Sequence, residues 1–184
     1  MGVLSAYAQG SLPDELGSLA NSSGPWALAA FCLALLAPSR PIAALTGGVV
    51  LVGLLAGYVV GADVRGFSSS SSLLTFWGLA AVTVGPVLGL AAYEVRTRHP
   101  TLGALGGGAM AGALIGEGIY GLVVIADTTS PPYWIGEIAV GVAVLCAVAV
   151  RLRRPASIGL AVLTAGVVAT AFVAVYRLDL ITLF

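Results

Sequence analysis

Glu117 and Glu137 lie inside long apolar stretches of a chain that carries almost no other charge there. Glu117 is the only charged residue between positions 101 and 126, and Glu137 the only one between 130 and 150. An ionisable side chain in hydrocarbon costs roughly 2.5–3.5 kcal/mol by insertion scales, so one that is kept there is a functional candidate by default. Side chains three or four apart share a helix face. Glu117 therefore shares its face with Ala113, Tyr120 and Gly121, and Glu137 with Tyr133, Trp134 and Gly141. A carboxyl group held in an apolar, aromatic surrounding is expected to rest protonated, which makes it a proton donor. A purely structural role is the alternative, in which each acid hydrogen-bonds a neighbouring helix and holds the bundle together.

The aromatic residues strengthen the chemical reading. Trp26, Tyr58, Phe76, Trp77, Tyr120, Tyr133, Trp134 and Tyr176 all fall towards one end of the apolar stretches, and only Tyr93 lies near the other. An interfacial belt decorates both ends of a membrane bundle. A one-sided set can instead line a cavity whose ring faces stabilise cations. Ahead of Trp26 runs Asn21-Ser22-Ser23-Gly24-Pro25, a helix-breaking and N-capping sequence. A break at the depth of the glutamates would offer free N–H groups to a polar ligand, with Asn21 among them. A cap outside the membrane is the plainer reading.

The elements that must position these groups are membrane helices. The chain has 184 residues, 59% hydrophobic and 9% charged, where soluble domains carry about 25% charged residues. Five stretches meet the length of about 20 apolar residues needed to cross a bilayer: 42–60, 73–92, 102–125, 133–150 and 157–176. A sixth, 26–37, is short. Backbone groups in lipid require helices unless a barrel closes, and barrel alternation is absent. The expected fold is all-α: a polytopic transmembrane bundle of six spans arranged as three hairpins. An interfacial or re-entrant segment over residues 1–24 precedes a single helical domain over 25–184. Arg40, Arg96, Arg98, Arg151, Arg153 and Arg154 share one side, which assigns that side to the cytoplasm and both termini to the outside. On the helix rise, Glu137 lies about 9 Å inside Pro131 and Glu117 about 15 Å inside Asp127, both in the outer half.

Other chemistry is limited by composition. There is a single histidine, His99, so histidine-based triads and histidine-rich metal sites are unavailable, and no cofactor or metal is expected. Zero net charge leaves no basic face for nucleic acid. Cys32 and Cys146 read as small core hydrophobes. The first residues lack a basic region and a small-residue cleavage site, so no removable signal peptide is expected. Each proposed hairpin has Trp at its outer start, Arg before Pro at its inner turn and Tyr near its return, which fits either a threefold repeat or generic interfacial signals. Gly108, Gly112 and Gly116 form a small-residue face for close helix packing, and helix 102–125 could use it to form a homo-oligomer. Pro86 is expected to kink the stretch 73–92.

The segments LANSSGPWALAAF, SRP, FWGLAAVTVGPVLGLA and GEGIYGL together resemble an uncharacterised family of small actinobacterial membrane proteins, over most of the chain. In function the chain looks like the membrane-bound terpene cyclases of bacterial indole-sesquiterpenoid and related meroterpenoid pathways. That resemblance implies a bacterial cytoplasmic-membrane enzyme, and protonation of a polyprenyl alkene or epoxide on a prenylated aromatic substrate. Glu117 or Glu137 would be the general acid, and Trp26, Trp77, Tyr120 and Trp134 would shield the carbocations. Two other readings stand beside it: a substrate-binding or proton-coupled transport component, and a non-catalytic assembly subunit.

Overall fold

A computed structural model describes residues 2–9, 11–20, 22–67 and 70–177. These form α1 (Gly2–Ala8), a 3-10 helix (Asp14–Ala20), α2 (Gly24–Ala34), α3 (Arg40–Val64), α4 (Ser71–Arg96), α5 (Leu102–Val123), α6 (Pro131–Leu152) and α7 (Pro155–Arg177). No strand occurs among the described residues. Proline opens several helices: Pro25, Pro41, Pro131 and Pro155 sit in first turns, where a missing N–H costs nothing. Turns end them. Arg153 takes a left-handed conformation (φ 58°) and returns its N–H to the Ala149 carbonyl, which lets α6 stop and α7 begin two residues later.

Five helices, α3 to α7, are long and apolar enough to cross a membrane. The expected sixth span is not one of them. α2 has 11 residues, about 16 Å of helix against a core of about 30 Å. α1 packs beside α3: Gly2 lies against the backbone of Leu54 and Tyr58, and Ala6 against Gly61. The Arg65 guanidinium bonds the carbonyls of Ala6 and Gln9 and so caps the open end of α1.

The expected hairpin pairs α2–α3, α4–α5 and α6–α7 are each in contact, but the closest pairings lie elsewhere. α5 is the central helix: 61% of its membrane-length window is buried, against 11–22% for the other four. Its closest partners are α6 and α7, and α3 packs most closely on α4. Every one of these contacts is set by small residues. Gly108, Gly112 and Gly116 stand against Ala161, Ala165 and Ala169 of α7, which runs parallel to α5. Gly47 and Gly85 meet backbone to backbone between α3 and α4. In lipid there is no hydrophobic drive between helices, so close approach and dispersion must hold them together. The glycine face of helix 102–125 is thus filled by α7 of the same chain and is not open to a second copy.

The core is built of Phe31, Ala34, Ala92, Ala104, Met110, Leu114, Val148 and Ala161. Cys32 and Cys146 are not in it; both are exposed on the apolar perimeter, as thiols without a disulfide. Pro86 lies within an unbroken α4 and faces Gly48. At the arginine-rich end, the Arg40 Nε lies 2.7 Å from the Glu94 Oε1, tying the start of α3 to the end of α4.

Candidate functional site

The break before α2 is where the two glutamates meet. α5 carries Glu117 and α6 carries Glu137, and both are buried (7% and 6% exposed). The first N–H groups of a helix have no acceptor of their own. Those of α2 are met by side chains from other helices: Ser23 donates its N–H to Glu117 Oε1 at 2.8 Å and its hydroxyl to Oε2 at 2.9 Å. Ser22 donates its hydroxyl to Glu137 Oε1 at 3.1 Å. The local Ser23 cap is absent because its own side chain points to Glu117 and makes no capping bond to α2.

Gly24 completes the junction. A Cβ there would collide with Glu137 Oε1 and Leu114 Cδ2 and crowd Glu117 Oε2. The two carboxyl groups therefore share the space that the missing side chain leaves. Glu137 Oε2 and the Tyr133 hydroxyl are both buried without a hydrogen-bond partner among the described residues.

An open cavity of about 680 Å³ lies on the other side of Glu117. Its wall includes Ser23, Glu117, Trp77, Tyr120, Trp134, Phe172 and Tyr176, with Asp14, Ser18, Asp127 and Thr129 towards the mouth. Phe172 and Tyr176 stack (ring centroids 4.5 Å apart, 9° between planes), and Tyr120 leans on Tyr176 at 5.1 Å. Trp134 is held by its Nε1, which donates to Thr129 Oγ1 at 2.8 Å, and by close packing on Gly121. Below Glu117 the helices close over Leu114 and Met110, both fully buried.

Of the residues expected at the site, Glu117, Trp77, Tyr120 and Trp134 line this cavity. Glu137 sits behind Glu117 in the wall. Tyr133 packs edge-on against Trp134 at 4.8 Å but is not on the cavity surface. Phe76 supports Trp77 at 5.2 Å from outside the cavity. Trp26 and Tyr58 pair with each other at 6.1 Å beside α1, where Trp26 Nε1 donates to Ser5 Oγ and Tyr58 meets Gln9. They lie away from the cavity. Asn21 lies outside the described residues. Ser22 and Ser23 engage the acids; their place in a capping sequence was the available signal. Phe172 carried none, since an aromatic within an apolar span is unremarkable. Among the described residues no cluster of His, Cys, Asp or Glu could hold a metal ion.

The profile of a family of unknown function, DUF6518, matches residues 1–181. The chain belongs to that family. Comparison with curated proteins and with solved structures finds no match. The family match covers nearly all of the chain and carries no activity with it, so function rests on the site itself.

Proposed function

We propose that the chain is a membrane-embedded acid catalyst that starts carbocation cyclisation of a polyprenyl group on a prenylated aromatic, indole-type substrate. The observation that carries the proposal is a pair of buried carboxyl groups meeting at Gly24, with Glu117 in the wall of an aromatic cavity and Glu137 beside it. Glu117, the member on the wall, delivers the proton to a terminal alkene carbon or an epoxide oxygen. The π electrons of the chain then form the new carbon–carbon bonds, and the final cation returns a proton to a carboxylate. Substrate and product are isomers, and no electron acceptor is needed. Glu137 is the second acid beside the donor and can take the final proton, and Ser23 holds the Glu117 carboxyl in place. The faces of Trp77, Tyr120, Trp134, Phe172 and Tyr176 stabilise the cationic intermediates.

The arginine-rich end faces the cytoplasm in this reading, and the cavity opens to the outer side of a bacterial cytoplasmic membrane. A proton-coupled transport component is the competing reading, favoured by the broken segment at Ser22 and Ser23. An assembly subunit is less well supported, because the glycine face is already occupied within the chain.

The test is incubation of the purified protein in lipid nanodiscs with prenylated indoles bearing a terminal alkene or epoxide. A product of unchanged mass and new retention time is expected, carrying one deuterium at the protonated carbon when an alkene reacts in D2O. Glu117→Gln should lower its formation by about 10²–10⁴-fold, the range of a lost general acid. Absence of cyclised product from every prenyl substrate with the wild-type protein would sink the proposal, and substrate flux into sealed vesicles would replace it with transport.

A further inference from the structure

A second groove, of about 310 Å³, lies at the arginine-rich end of the bundle, the end opposite the acid cavity. Pro100, Thr101, Arg154, Ala156, Ser157 and Leu160 line it. α5 and α7 run parallel and both begin here, so two helix N-termini sit side by side. The leading amides of α5 are taken, Leu102 N–H by His99 Nδ1 and Gly103 N–H by the His99 carbonyl; those of α7 have no intrahelical acceptor and present partial positive charge. Thr101 stands at the cap position of α5, yet its side chain makes no capping bond.

Two further observations point to a ligand. Ser157 is 5% exposed, lines the groove and has no hydrogen-bond partner among the described residues. Arg154 is exposed and likewise makes no ion pair or hydrogen bond among them. Of the other arginines at this end, Arg40 pairs with Glu94, Arg151 bonds the carbonyls of Val95 and Arg96, Arg153 bonds the Val150 carbonyl and Arg96 lies over the ring of Tyr93, while Arg98 is exposed like Arg154 but does not line the groove. No carboxylate lines the groove.

We propose that this groove binds a phosphate group, with Arg154 as counter-charge and the hydroxyls of Thr101 and Ser157 and the leading amides of α7 as donors. The position favours a lipid headgroup over free phosphate. Helix ends of membrane-length segments lie at the depth of lipid phosphates, and Leu160 gives the groove an apolar wall for the glycerol backbone. Basic pockets between helices at this depth suit anionic headgroups.

Native mass spectrometry of the protein released from nanodiscs tests it, with phosphatidylcholine containing a minor share of phosphatidylglycerol. A second arm uses phosphatidylcholine alone with millimolar inorganic phosphate. Retained phosphatidylglycerol identifies a headgroup site, and a phosphate adduct without lipid preference identifies a free-anion site. In either arm Arg154→Gln should weaken retention by about fivefold, the scale of one arginine's attraction to an anionic headgroup. Ser157→Ala should weaken it as well, and Arg153→Gln, one residue away, should retain the ligand. Absence of both adducts overturns the proposal, as does equal loss in Arg153→Gln and Arg154→Gln, which would mean bulk charge rather than a built site.

Discussion

Ser23 presents its N–H and its hydroxyl to the two oxygens of Glu117, and this makes the two acids unequal. Glu117 is the cap of a helix it does not belong to. Removing its carboxyl by Glu117→Ala leaves two half-buried donors of Ser23 without their acceptor, at a cost of about 1 kcal/mol each, since water in the cavity can replace part of it. Glu117→Gln keeps an acceptor oxygen for the Ser23 N–H, and its amide can donate to the hydroxyl, so that variant is expected to stay folded. Glu137 differs, because one of its oxygens is already without a partner. Glu137→Gln keeps an acceptor for the Ser22 hydroxyl and removes a buried carboxyl whose Oε2 has no partner, and is expected to leave stability unchanged or raise it slightly. Thermal unfolding in detergent should rank the variants Glu137→Gln, then Glu117→Gln, then Glu117→Ala. Equal stability of Glu117→Ala and Glu117→Gln would show that the carboxyl does not cap α2.

Among the elements, α5 decides the arrangement. Its glycines let α7 approach until backbones touch, and that contact places Phe172 and Tyr176 beside Tyr120. Gly112→Val would force its side chain into Ala165 and Val168 of α7, an overpacking expected to cost about 1–3 kcal/mol. Gly166, on the outer face of α7, has open space around it. Gly166→Ala is expected to change stability by no more than about 1 kcal/mol, the scale of the Gly-to-Ala helix preference. The comparison is read as the difference between the two melting temperatures. A Gly112→Val protein as stable as Gly166→Ala would mean that the α5–α7 contact is not what holds the cavity wall.

For the molecule as a whole, the two ends of the bundle carry different chemistry. One end has the arginine turns and the proposed phosphate groove; the other has the acid cavity and Asp14, Asp63 and Asp127. The proposed orientation rests on that asymmetry. With Cys32 and Cys146 replaced by alanine, a membrane-impermeant maleimide applied to intact cells should label Thr128→Cys, in the α5–α6 turn, and spare Thr101→Cys at the arginine end. The reverse pattern would invert the topology and turn the acid cavity towards the cytoplasm.

The long helices were legible in the chain because each is a run of apolar residues between charged turns, and hydropathy depends on little else. All five long stretches became helices, extended by a turn or less at most ends. The two buried acids were legible for the same reason, since a lone carboxylate in such a run is anomalous wherever the helix ends up. The short segment at 26–37 was visible as short, and the capping sequence before it as a break. What tertiary structure decided was adjacency. Periodicity states which residues share a helix face but not which faces meet. It therefore put Trp26 and Tyr58 with the other aromatics, whereas the packing of α1 on α3 sets them apart. Close approach through glycine and alanine chose α7, not a second copy, as the partner of α5. That same approach brought Ser22, Ser23, Glu117 and Glu137 from three helix segments to one point, because a helix that starts inside the bundle must find its acceptors on its neighbours.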